Sequence, residues 1–281
     1  MAVHRSGTAR RFALPEGACD TQVRLTGPLA LFPAETDDVA PEATLDQLET
    51  RLAALGLARA VLVQPAQFGT DNACMLQALA RHRNILRGVA AIGPDCGDDT
   101  LESMAHTGVR GVRLDARRAV GIDVAGIEAL ARRIEPFGWH LQLALDPPAL
   151  KRMVPFLADL PVETVIEDLG LASVADGLAG AGFKALLRLV RGGRTWVKLA
   201  GAARISAMAP PWPDLVPFVG AVVEADPTRL LWGSGWPHEP VRSRPPADRD
   251  VFELLRLAAP DERLRRLVLV ENPARLYRFG E

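Results

Sequence analysis

Polar residues stand at the ends of several short apolar runs, and their types define the chemistry open to this chain. Asp20, Gln22 and Arg24 are spaced two apart, so in an extended strand they share one face. Arg113 and Asp115 have the same spacing, Gln142 and Asp146 mark another run, and Gln64 ends a fourth. Glu167 and Asp168 are adjacent, Lys198 and Arg204 follow, and Ser234, Trp236 and His238 form a late cluster. The forked donors of Arg24, Arg113 and Arg204 suit a carboxylate held by two parallel hydrogen bonds. Asp168, Asp115 and His238 are the groups suited to moving a proton. Gln22, Gln64, Gln142 and Trp236 would complete the wall around a bound molecule. A buried polar group left unpaired costs roughly 1–3 kcal/mol. So many polar strand ends therefore either line a ligand cavity or close into an internal salt-bridge network.

Individual residues carry the same two readings. Asp168 either pairs with Arg24, which would lower its pKa and remove base function, or serves as a base in a drier pocket. His238 is either an acid/base group or a loop residue that orders Trp236. Arg113 and Arg204 either bind an anion or pair with Asp115 or Asp168, and Arg117 and Arg118 lie close enough in sequence to join a clamp. Ser234 follows Gly233 without a G-x-S-x-G context, which argues against a serine nucleophile.

Composition removes several function classes. The chain has 281 residues, 48% of them apolar and 24% charged, as ordinary globular proteins do. A net charge of −1 without a basic or acidic block argues against a nucleic-acid surface or a polybasic membrane patch. No window approaches the ~18 apolar residues of a membrane span. Cys19, Cys74 and Cys96 are odd in number and contain no CxxC, so reduced thiols in a cytoplasm are expected. Residues 1–13 include Arg5, Arg10 and Arg11 without an apolar core, so no secretory signal is expected.

The elements that must position these side chains alternate. Strands are expected at Cys19–Leu25, Ala60–Gln64, Leu86–Ile92, Gly111–Leu114, His140–Leu145, Val162–Ile166, Trp196–Leu199 and Leu230–Trp232. Each is followed by a helical pattern, including Leu45–Leu57 with a Thr44/Gln47 capping box, Val174–Arg191 and Asp261–Leu269. Apolar runs such as Ala60-Val-Leu-Val63 suit a parallel sheet covered on both faces. Eight βα units in about 250 residues fit a (β/α)8 TIM barrel. A doubly wound sheet fits the alternation too, although no GxGxxG follows an early strand. The expected organisation is an N-terminal extension over 1–17 and a single barrel domain over 18–281.

Five segments taken in order are similar to one family. Val61-Leu-Val-Gln-Pro-Ala-Gln-Phe-Gly-Thr-Asp-Asn72, Gly108-Val-Arg-Gly-Val-Arg-Leu114 and Trp196-Val-Lys-Leu-Ala-Gly201 are three of them. Leu230-Leu-Trp-Gly-Ser-Gly-Trp-Pro-His238 and Glu271-Asn-Pro-Ala-Arg-Leu-Tyr277 are the others. Together they resemble the amidohydrolase-2 family, in its branch of 2-pyrone-4,6-dicarboxylate lactonases. That resemblance implies a (β/α)8 hydrolase. Many members hold a divalent metal through an HxH on the first strand, further histidines and an eighth-strand aspartate. The lactonase branch is thought to work without metal, with that aspartate activating water and arginines holding substrate carboxylates. It also implies that Lys198 is a structural lysine.

Here those positions differ. The HxH place reads Gln22 and Arg24, the sixth-strand histidine place reads Asp168, and the eighth-strand aspartate place reads Gly235. Glutamine is a poor metal ligand and arginine is always cationic. Of the five histidines only His238 falls on the catalytic side of the expected barrel. The expectation is therefore a metal-independent, cofactor-free lactonase-like protein acting on a small anionic or lactone-type molecule. Asp168, Asp115 and His238 would move protons, and Arg24, Arg113 and Arg204 would hold anionic oxygens. The alternative is a pseudoenzyme that binds a small carboxylate or a protein partner.

Overall fold

Eight strands follow one another through the chain: β1 (Cys19–Val23), β2 (Arg59–Val63), β3 (Leu86–Ala90), β4 (Val109–Asp115), β5 (His140–Ala144), β6 (Thr164–Ile166), β7 (Thr195–Leu199) and β8 (Leu230–Trp232). Each pairs in parallel with the next, in sequence order. This computed structural model describes residues 14–36, 39–115, 124–238 and 246–280. The seam between β8 and β1 is drawn shut by three bonds. Thr21 Oγ1 donates to the Trp232 carbonyl at 2.8 Å, Arg24 N to the Trp236 carbonyl at 2.8 Å, and Gly235 N to the Gln22 carbonyl at 2.9 Å. The result is a nearly closed (β/α)8 barrel, as the alternation of elements predicts.

Helices cover the barrel: α1 (Leu45–Leu55), α2 (Ala73–Arg81), α3 (Asp98–Thr107), α4 (Val124–Ile134), α5 (Pro147–Asp159), α6 (Ala181–Arg191), α7 (Ala202–Ile205), α8 (Val216–Ala225), α9 (Asp248–Ala258), α10 (Glu262–Arg266) and α11 (Asn272–Tyr277). The Thr44/Gln47 capping box forms as the sequence predicts, and Gly56 ends α1 at φ 74°. The helix expected over Val174–Arg191 is shorter. Gly177 takes φ +60° and Gly180 is extended, so α6 starts only at Ala181. The last helical pattern runs past Leu269 through a π-helical turn at Leu267–Glu271 into α11. Pro273 has no N–H for an i→i−4 bond, and the turn widens before it. No helix among the described residues is long and apolar enough to cross a membrane.

Two layers of packing matter for the site. The outer layer is the apolar contact between strands and helices. The inner one fills the barrel with Cys19, Val61, Val63, Val89, Val165, Trp196 and Leu231. The α11 helix plugs the lower end of this inner core. There the Tyr277 ring lies 5.7 Å from Lys198 Nζ and edge-on to His140 at 5.3 Å.

His140 sits in that plug as a neutral imidazole. Burial pulls its pKa down to about 3, and the nearby Lys198 charge adds to the effect. The unfolded chain would bind a proton near pH 6.5 while the native state refuses it until about 3. Stability from this group is therefore full above pH 6.5 and is lost as pH falls, by roughly 1.4 kcal/mol per unit. The expected result is a urea midpoint that drops between pH 6.5 and 4.5, with a flatter profile in His140→Phe. An equally steep profile in the variant would sink this assignment.

Candidate active site

Inside the barrel mouth the polar residues close into a network. Lys198 is fully buried, and its three N–H donors find three oxygens: the Thr21 carbonyl at 2.6 Å, Gln22 Oε1 at 2.9 Å and Gln142 Oε1 at 2.6 Å. Burial pulls its pKa down to about 7 against the opposing pull of Glu167, Asp168 and Asp20. Gln142 Nε2 donates to Glu167 Oε1 at 2.6 Å. Arg113 grips the same carboxylate with both sides of its fork, Nε to Oε1 at 2.8 Å and Nη2 to Oε2 at 3.3 Å. Arg113 also donates to Asp115 at 3.2 Å. Burial works against the charge of Glu167, but the Arg113 guanidinium, with Arg24 beyond it, holds the carboxyl well below its usual range.

The sequence places Asp20, Gln22 and Arg24 on one face, and the structure separates them. A bulge between Asp20 and Val23 interrupts the register of β1 with β2. Gln22 faces Lys198, whereas Asp20 turns to Arg51 on α1 at 3.1 Å and accepts from the Ser234 N–H at 2.9 Å. The pairing expected between Asp168 and Arg24 is also replaced. Asp168 accepts from Arg204 Nη2 at 2.6 Å instead. The chain leaves β6 through four consecutive left-handed residues, Asp168, Leu169, Gly170 and Leu171, at φ between 49° and 63°. That unfavourable run swings the Asp168 carboxyl toward the end of β7. Gly201, at φ +61°, accommodates it there: a Cβ at this position would lie 2.5 Å from the Asp168 carboxyl carbon.

Above the network lies a recess of about 50 Å³, lined by Arg24, Arg204, Trp212, Ser234, Gly235 and His238 among others. Such a volume admits more than one water-sized group. Arg24 is part-buried, and its guanidinium has no hydrogen-bond or ion-pair partner among the described residues. Burial, then the charges of Arg113 and Arg204, lower its pKa. Lys198, Arg51, Arg113 and Arg204 all have bonded partners. His238 Nε2 lies 3.0 Å from Asp248 Oδ1 at the start of α9, and Arg51 Nη2 donates to that same oxygen at 2.7 Å.

The remaining candidates divide as follows. Gln64 ties down its own loop, donating to the Asp71 carbonyl at 2.6 Å. The Trp236 ring centre lies 5.8 Å from the Arg51 guanidinium carbon, and the Trp236 backbone N–H donates to Ser234 Oγ. Arg113 and Asp115 belong to the closed network, and Arg117 and Arg118 lie outside the described residues. In the sequence Glu167 stands out only as a strand end. Strand alternation counted from the inward Val165 would have turned it into the barrel. No sequence signal marks Asp248, which sits ten positions after its partner at the head of a helix expected to begin only at Val251.

The residues present do not fit a divalent ion. The places that align with an HxH pair hold Gln22, whose oxygen already serves the Lys198 ammonium, and the cationic Arg24. Gly235 offers no side chain at the aspartate place. Among the described residues no three His, Cys, Asp or Glu side chains gather as a metal ligand set.

Comparison with known proteins adds an independent line. The family described as amidohydrolase matches residues 19–279. A 4-sulfomuconolactone hydrolase of Rhizobium radiobacter is 34% identical over 273 residues, spanning 95% of this chain and 91% of the relative. A 2-pyrone-4,6-dicarboxylate hydrolase of Comamonas testosteroni is 32% identical over 280 residues, spanning 95% and 92%. The crystal structure of a putative 2-pyrone-4,6-dicarboxylic acid hydrolase from Pseudomonas putida superposes with a TM-score of 0.84 at 30% identity, covering 95% of this chain and all of that one.

Proposed function

We propose, for a chain that belongs to the amidohydrolase family, that it hydrolyses a small lactone carrying a carboxylate or similar anionic group, without a bound metal. The carrying observation is Arg24. A guanidinium facing a recess without a partner is a site built for an anion. Arg204, one-third exposed and already bonded to Asp168, lines the same recess and supplies a second cationic contact. The similar hydrolases act, by their names, on a sulfonated lactone and a pyrone dicarboxylate, and both substrates carry anionic groups. His238, also in the recess wall, is the side chain there whose imidazole can both accept and donate a proton. Asp168 is committed to Arg204, and Asp115 to Arg113, which leaves both as supports of the arginines. Three unpaired cysteines accord with a cytoplasmic setting.

A screen of carboxylated lactones and pyrones, with the protein dialysed against chelator, tests this. Turnover that survives chelation is the expected result. Turnover that appears only after zinc is added would contradict metal independence. One observation favours the second reading, a binding protein that has lost catalysis: the aspartate place is Gly235, at φ +74° with open space where a Cβ would stand. That reading predicts a thermal shift with carboxylates and no turnover of any lactone.

A further inference from the structure

We infer that Asp248 is a positioning residue, which holds His238 as the proton carrier of the recess. The inference rests on the lactone-hydrolysis reading for its reaction and on geometry for its residues. Asp248 Oδ1 receives His238 Nε2 at 3.0 Å and two arms of Arg51, Nη2 at 2.7 Å and Nε at 3.2 Å. Burial opposes its charge, but the hydrogen bonds from His238 and Arg51 bring its pKa down to about 2. An ionised carboxylate only accepts, so the proton between them belongs to Nε2. In that tautomer Nδ1 keeps its lone pair, and the structure gives it no partner among the described residues.

The support is bonded on several sides. Arg51 also binds Asp20 at 3.1 Å, and Asp20 takes the Ser234 N–H, so the loop that carries His238 is tied to α9, α1 and β1 at once. Among the described residues, the charged groups around the imidazole are Asp248 from α9 and Arg51 from α1, with Arg24 at the end of β1 and Arg204 on α7 lining the same recess. Asp248 is the one anion in that set, and it offsets the positive charge that appears on the ring during reaction.

The step balances. Water attacks the lactone carbonyl carbon while its proton passes to His238 Nδ1. The ring C–O bond then breaks, and the imidazolium returns that proton to the departing oxygen, giving the open hydroxy acid. Gly235, two residues after Gly233 in the same loop, supplies no side-chain base.

The test uses Asp248→Asn, which keeps shape and an acceptor for Arg51 but loses the charge, and Asp248→Glu, which keeps the charge. With a lactone that the wild type hydrolyses, Asp248→Asn is expected to lower kcat by about a hundredfold or more with KM within threefold, and Asp248→Glu to recover part of the loss. In the free wild-type protein, proton–nitrogen NMR should show an exchange-protected His238 Nε2 proton that Asp248→Asn loses. If Asp248→Asn keeps its kcat, or changes only KM, the inference is overturned. Failure of the lactone reading looks different, because no lactone is then turned over by the wild type. The ring proton decides in that case: present and lost in Asp248→Asn, it upholds the positioning of His238, and absent from the wild type, it overturns it.

Discussion

Replacing Glu167 by alanine is expected to lower the melting temperature by roughly 10 °C. Glu167 is almost fully buried and is the shared acceptor of Arg113 and Gln142. Removing it leaves the Arg113 guanidinium with Asp115 alone and leaves Gln142 Nε2 only its long bond to Gln22 Oε1 at 3.4 Å. Deleting one partner of a buried pair costs about 3–5 kcal/mol, because the survivor keeps its desolvation penalty and loses its compensation. In a domain of this size each kcal/mol moves the melting temperature by about 2–4 °C. Glu167→Gln keeps the volume and one acceptor oxygen and should fall between the alanine variant and the wild type. Calorimetry of the three proteins at neutral pH checks the ranking. A loss below about 1 kcal/mol for the alanine variant would show that Arg113 finds another partner.

Arg24→Met is expected to act in opposite directions on binding and stability. Its guanidinium is unpaired among the described residues, and burial with the like charges of Arg113 and Arg204 works against its charge while Glu167 and Asp168 partly support it. A methionine stem fills similar space without that repulsion or desolvation, so the melting temperature should hold or rise. Binding should suffer, since a charge-assisted bond to a carboxylate contributes about 1.5–3 kcal/mol. Affinity for a carboxylated lactone or its product acid is then expected to fall by about ten- to a hundredfold. Titration calorimetry and a thermal melt on the same preparation read both effects. Unchanged affinity would remove Arg24 from the anion site and with it the main support for the proposed substrate class. The opposite signs also separate Arg24 from Glu167, which loses stability when altered. A cation kept in a cavity at a cost to the fold is the mark of a residue retained for a ligand.

The closed pairs show how far one-dimensional reading reaches. Arg113 with Asp115 was visible as a same-face spacing, and the structure keeps that contact at 3.2 Å. Its second partner, Glu167, follows directly on β6, two strands away, and nothing local announces a contact between residues 54 positions apart. For Asp168 the sequence leaves open a pair with Arg24, a pair with Arg204 and a base role. The left-handed run from Asp168 to Leu171 places it against Arg204, a choice among these that the backbone makes and no side-chain pattern encodes. Likewise a single bulge in β1 sends Asp20 toward α1 and Gln22 to the barrel centre, where strict alternation would have kept them together.

By itself the sequence determined eight alternating strand and helix patterns, because apolar periodicity and turn residues act over a few neighbours, and the resemblance to the amidohydrolase-2 family pointed to the barrel over a doubly wound sheet. It also determined the kinds of groups at the strand ends, and that histidines are scarce among them. The tertiary structure decided which of those groups are spent on one another and which face the recess. Arg113, Arg204 and Lys198 have partners, Arg24 has none among the described residues, and His238 gains Asp248 from the following helix. Pairing of buried charges is set by distances of about 3 Å between distant parts of the chain. Strand ends converge to such distances only when the barrel closes.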